Sequence, residues 1–216
     1  MKKALALVLF SAVSALASAA SDHSTVTFSN GTEGWVGVAD GIGGSWISST
    51  PGEHGTAYYT NIPMTFGLNW SNRTNRDFVF NYGEARKLTI GIDIKVNSIT
   101  YEGIEVPREL VLELRDYHKP YGNMPYTSVW YKLGTISAAQ RGWQHLSVTI
   151  DDTRARNLPA GWGGYGDGGV ALPPGRTFAD VLANFDEAAF TTFVPGMFYA
   201  YTNYDVAVDN ISIKRH

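Results

Sequence analysis

The sequence predicts an all-β fold, an antiparallel sandwich or barrel that carries one short helix. Apolar and polar residues alternate strictly over several stretches, which is the period of a half-buried strand. Clusters of Gly, Pro, Asn and Asp separate those stretches, with no helical pattern between successive strands until near residue 177.

The clearest strand is 88–97, where Leu88, Ile90, Ile92, Ile94 and Val96 alternate with Thr89, Gly91, Asp93, Lys95 and Asn97. Leu110, Leu112 and Leu114 alternate with Val111, Glu113 and Arg115, and Leu146, Val148 and Ile150 alternate with Ser147, Thr149 and Asp151. Further strands are predicted over 25–28, 34–39, 45–49, 56–60, 128–136, 197–202 and 205–213. The exception to the pattern is 177–187. There Phe178, Val181, Leu182 and Phe185 recur at helical spacing, and Thr177 with Asp180 forms a capping-box pair. Pro173, Pro174 and Gly175 block a strand from running in. The expectation is one short amphipathic helix lying across an end of the sandwich.

Of the 216 residues, 28 are aromatic (Trp 6, Tyr 12, Phe 10), which is enough for a real core without disulfides. There is no cysteine, so thiolate nucleophiles, Cys-ligated metals and disulfide frameworks are excluded. Residues 1–20 read as a signal peptide. Lys2 and Lys3 precede an apolar run from Ala4 to about Leu16, and Ala17-Ser18-Ala19 supplies the cleavage site. The expectation is an exported protein, periplasmic or extracellular, with residues 21–216 as a single β-sandwich domain. Removing Lys2 and Lys3 with the leader takes the formal charge from −3 to −5, which argues against nucleic acid as a partner. No later segment is long or apolar enough to span a bilayer.

No motif of covalent or metal chemistry stands out. Gly43-Gly44-Ser45-Trp46-Ile47 lacks the closing glycine of a nucleophile elbow. His23, His54, His118, His145 and His216 have no partner at zinc-ligand spacing. Glycoside cleavage needs two carboxylates across a sugar. The nearest approach is Glu109, Glu113 and Asp116, which read as a solvated strand face, and Asp186-Glu187 reads as loop charge at the close of the helix.

What remains is aromatic placement. Three loops carry Tyr and Trp: 117–126 with Tyr117, Tyr121 and Tyr126; 161–167 with Trp162, Tyr165 and Asp167; and 66–78 with Trp70 among Asn69, Asn72, Arg73 and Asp77. An exposed ring stacks on the C–H face of a sugar while Asn, Asp and Arg exchange hydrogen bonds with its hydroxyls. The same rings can instead plug the ends of a sandwich, and Tyr117 and Tyr126 read that way. The candidate ligand contacts are Trp70, Tyr121, Trp162, Tyr165, Asn69, Arg73 and Asp167.

Phe28-Ser29-Asn30-Gly31-Thr32-Glu33-Gly34-Trp35 resembles the opening strand of galactose-binding-like jelly rolls, which include carbohydrate-binding modules and laminin-type domain IV modules. Phe66-Gly67 and Tyr82-Gly83 are similar to the middle of the laminin-type domain. Val208-Asp209-Asn210-Ile211-Ser212-Ile213 is similar to the closing strand of both. The resemblance implies a jelly roll. It also implies a structural Ca²⁺ held by the closing-strand acid, here Asp209, with Glu33 standing in for the opening-strand acid, whose usual place is taken by Ser29. The reading that follows is a secreted, non-catalytic module that binds carbohydrate or another extracellular polymer. The alternatives are a structural or adhesion module contacting proteins, and a jelly-roll hydrolase or lyase using Glu113 or Asp116.

Overall fold

A computed structural model describes residues 22–38, 42–49, 55–165 and 171–216. The predicted leader, His54 and Asp167 lie outside the described residues. Among the described residues, thirteen strands form two antiparallel sheets, and the protein is a β-sandwich. Sheet A contains β1 (His23–Val26), β3 (Gly44–Ser48), β4 (Ala57–Thr65), β6 (Leu88–Tyr101), β7 (Ile104–Glu105), β10 (Trp143–Ile150) and β13 (Thr202–Arg215). Its order is β10-β6-β13-β4-β3, with β1 added to β13 and β7 to β6. Sheet B contains β2 (Trp35–Val36), β5 (Asn69–Asn72), β8 (Arg108–Asp116), β9 (Thr127–Ile136), β11 (Trp162–Tyr165) and β12 (Glu187–Thr191), in the order β11-β9-β8-β12-β5-β2.

The alternating strands behave as their period dictates. Leu88, Ile90, Ile92, Ile94 and Val96 of β6 and Leu110, Leu112 and Leu114 of β8 all enter the core between the sheets. Ile99 also faces inward although it lies three residues past Val96. The register against β13 shifts between Asp205 and Val206, and this bulge restores the phase. Trp35, Trp70, Tyr82, Tyr204, Phe28, Phe78, Phe178 and Phe190 are the largest fully buried side chains. Burying one such ring removes roughly 150–250 Å² from water, and these eight dominate the core.

The helix α1 is Phe178–Asn184, shorter than the predicted 177–187. Both hydrogen bonds of the Thr177/Asp180 capping box are present. Phe178, Val181 and Leu182 are buried, with Phe178 meeting Trp162 edge-on at 5.0 Å. Phe185 turns to extended backbone and ends the helix. Glu187 therefore opens the central strand β12 and is not loop charge. That strand escapes a period-two search because both its faces are buried, so Glu-Ala-Ala-Phe-Thr shows no alternation. The predicted strand over 197–202 is irregular backbone up to Thr202, where β13 begins.

Candidate functional site

In β8 the odd-numbered residues Val111, Glu113 and Arg115 point away from the core, as do Glu187, Ala189 and Thr191 of β12. All six are nevertheless buried. The outer face of sheet B is thus covered by its own flanking loops, 117–126 and 193–201, and is not a solvated strand face. Between them lies a cleft of about 390 Å³, lined by Asn69, Glu113, Arg115, Met124, Tyr126, Tyr165 and residues 193–197.

The floor is a closed network of charges. Arg115 donates to Glu113 Oε2 through Nε at 2.8 Å, to Glu187 Oε1 through Nη1 at 2.6 Å and to Asn69 Oδ1 through Nη2 at 3.1 Å. Ser128 Oγ donates to Glu113 Oε1 at 2.6 Å, and Arg73 Nε donates to Glu187 Oε2 at 2.5 Å. Two guanidinium groups and two carboxylates therefore compensate one another. Strand register explains the assembly: Arg115 lies directly opposite Glu187 on one side and Ser128 on the other. Burial works against the Arg115 charge. Glu113, together with the hydrogen bonds to Glu113 and Glu187, outweighs it, and the guanidinium sits above its ordinary value. The hydrogen bond to Glu187 raises Arg73 in the same way.

Over this floor runs a line of tyrosines. Tyr117 meets Tyr126 at 5.1 Å between ring centroids, and Tyr126 meets Tyr165 at 6.2 Å. Arg73 lies 4.2 Å over the Tyr117 ring and Arg115 lies 5.3 Å from the centre of Tyr126. Burial, reinforced by Glu187 at Tyr117 and by Glu113 at Tyr126, pushes both phenols above the ordinary tyrosine value. Beside them Trp130 lies flat on β11. A Cβ on Gly163 would stand 2.3 Å from its ring, so only glycine lets the indole settle there.

The candidate contacts named from the sequence divide by strand parity. Residues 162–165 form β11, and residues 162 and 165 differ by an odd number, so they point to opposite faces. Tyr165 lines the cleft, whereas Trp162 is only 8% exposed and packs inward on Tyr131 and Phe178. The same rule separates Asn69, in the cleft, from Trp70, which is fully buried and donates from Nε1 to Thr60 Oγ1 at 3.0 Å. Neither Trp70 nor Trp162 offers a free ring face. Arg73 is exposed and braces Glu187 from the rim. Tyr121 lies outside the cleft, pairing with Met124 across the tip of loop 117–126, where Gly122 takes a φ of 59°. Tyr126, which the sequence reads as an end plug, lines the cleft instead. Trp130 sits in a stretch already read as a strand, where alternation with Val129 and Tyr131 would have placed it on the outer face.

Asp209 and Glu33, the candidate Ca²⁺ ligands, sit in separate local structures. Asp209 is fully buried at a bulge of β13, and its Oδ1 accepts the Asn210 amide at 2.8 Å. The main-chain oxygen of Glu33 accepts from Asn72 Nδ2 and Asn75 Nδ2. Among the described residues, Asp116, His118 and Asp186 bring their ligand-type atoms together. Asp116 is already held by Arg176 and by the His118 amide, and Asp186 accepts the Tyr117 amide at 2.7 Å. This cluster ties the root of loop 117–126 to the end of α1.

No family model matches the sequence, and no curated protein matches it. Solved structures do. The family 11 carbohydrate-binding module from Clostridium thermocellum in complex with a β-1,3-1,4-mixed-linked tetrasaccharide is similar with a TM-score of 0.51 at 16% identity, over 88% of this chain and 94% of that one. The family 11 module of the cellulosomal cellulase Lic26A-Cel5E of Clostridium thermocellum also gives 0.51 at 16% identity, over 92% of this chain and 97% of that one. An exo-β-agarase gives 0.50 at 11% identity, over 88% of this chain and 24% of that one. The protein has the jelly-roll fold of carbohydrate-binding modules.

Proposed function

We propose that the protein is an exported, non-catalytic module that binds a neutral polysaccharide chain in the cleft on the outer face of sheet B. The observation that carries this reading is the tyrosine line Tyr117–Tyr126–Tyr165 above a charge-compensated floor. Rings of this kind stack on sugar C–H faces, and Asn69 adds polar atoms at the floor. Both arginines already hold carboxylates, so the floor offers no surplus positive charge to an acidic polymer. Glu113 and Glu187 each use both oxygens on side-chain donors, so neither is the unpaired carboxyl that bond cleavage asks for.

The test is retention and calorimetry of the full chain on mixed-linked β-1,3-1,4-glucan, agarose, cellulose and polygalacturonate. Retention is expected on at least one neutral polymer and not on polygalacturonate. Tyr126→Ala and Tyr165→Ala should each weaken binding about tenfold, the equivalent of about 1.4 kcal/mol. Failure on every neutral polymer, or full retention in both variants, overturns the reading.

A further inference from the structure

The outer face of sheet A carries a row of side chains that crosses five strands. Register sets Trp143 of β10 against Lys95 of β6, and Lys95 against Ala207 of β13. It sets Ala207 against Tyr59 of β4, and Tyr59 against Trp46 of β3. Directly paired residues share a face. Strand parity turns this row away from the core, because Val148, Ile94, Val206 and Tyr58 enter it. Trp46 is 47% exposed, and Asn61 and Asn97 are also open to solvent.

At the β3–β4 end of the row two rings form a corner. Tyr59 stands on β4, yet its hydroxyl donates to Asp205 Oδ1 on the neighbouring β13 at 2.8 Å. The ring therefore reaches sideways and lies along the sheet. Ala207 faces outward beside it and has no exposed surface, as a small side chain beneath a ring should. Trp46 meets Tyr59 edge-on at 4.7 Å, with 74° between the planes, so the indole stands up from the sheet as a wall. A polar rim is already in place. Asp205 Oδ1 also accepts Asn97 Nδ2 at 2.7 Å, and Asn61 Nδ2 reaches the Tyr59 hydroxyl at 3.5 Å.

We propose that this corner is a second glycan site, which takes a neutral pyranose chain on the face opposite the cleft. Tyr59 is its floor, Trp46 its wall, and Asn61, Asn97 and Asp205 its hydroxyl partners. Sugar hydroxyls both donate and accept, and the rim offers both: two amides, one carboxylate and, further along the row, Lys95. A cation stacked on the same rings would ask for acceptors alone and would meet Lys95. In the rows flanking the corner Asp93 and Asp205 outnumber Lys95, which disfavours an acidic polymer. The site goes beyond the cleft reading and stands without it, since none of these residues lines the cleft. Sites on two opposite faces let one copy of the protein bridge two polysaccharide chains.

The probes are a mixed-linked β-1,3-1,4-glucan tetrasaccharide, cellotetraose, xylohexaose and an agarose oligosaccharide, each titrated into the full chain and followed by amide and indole NMR. For at least one sugar, signals of Ser45–Ile47, Tyr59–Asn61 and Asp205 should shift. Trp46→Ala and Asn97→Ala should each weaken that response at least tenfold. Asn97→Ala leaves both rings in place, so the test holds even if the other variant fails to fold. In a chain carrying both Tyr126→Ala and Tyr165→Ala the shifts on sheet A should persist, whatever becomes of binding in the cleft. No shift at these amides from any of the four sugars, unchanged binding in both sheet A variants, loss of the shifts in the cleft variant, or equal shifts from tetramethylammonium would each overturn the proposal.

Discussion

Tyr126 shows how much one side chain can report. Its phenol is pushed up by burial first and by Glu113 second, and Tyr117 and the wholly buried Tyr82 are also raised by burial. A phenol raised in the folded state ionises first in the unfolded chain. The stabilisation it carries is complete below about pH 10, the unfolded value, and declines as pH climbs beyond it. Urea midpoints should therefore fall from pH 10 upward, and Tyr126→Phe should make that fall shallower. An unchanged slope in the variant would show that Tyr126 ionises no later in the fold than outside it. Residue by residue, the sequence exposed types but not directions. Asn69 and Trp70 adjoin in the chain and part at the sheet. Trp162 and Tyr165 share a glycine-rich stretch that looks like a loop and forms a strand, and only strand parity assigns one to the core and the other to the cleft.

At the scale of elements, local signals were the readable ones. The capping box, the period of β6 and the alternation of β8 all act within a few residues, and each formed. Thr177→Ala removes the cap of α1 and should cost about 1 kcal/mol, seen as a lowered urea midpoint with unchanged slope. The floor of the cleft was not readable, because Glu113, Arg115, Glu187 and Arg73 come from three separate segments and meet only through the order β8-β12-β5. Glu187 was further hidden by its place in a strand buried on both sides.

The whole molecule is asymmetric. One outer face is a covered cleft with a compensated charge network, and at one side, among the described residues, β10 ends sheet A. Sheet A is organised around β13, which lies between β6 and β4 at its centre and also takes β1. A chain lacking residues 202–216 loses the partner of three strands at once. It should show no cooperative urea transition, whereas retention of one would mean that sheet B folds without sheet A.

That central strand is also the thirteenth in sequence. Sheet A stays split into β4 with β3 and β6 with β10 until β13 has emerged from the ribosome. In the interval Ile90, Ile92 and Ile94 have no finished sandwich to enter. Until then the chain carries one of its two sheets unfinished, and holdase chaperones would meet it in that form.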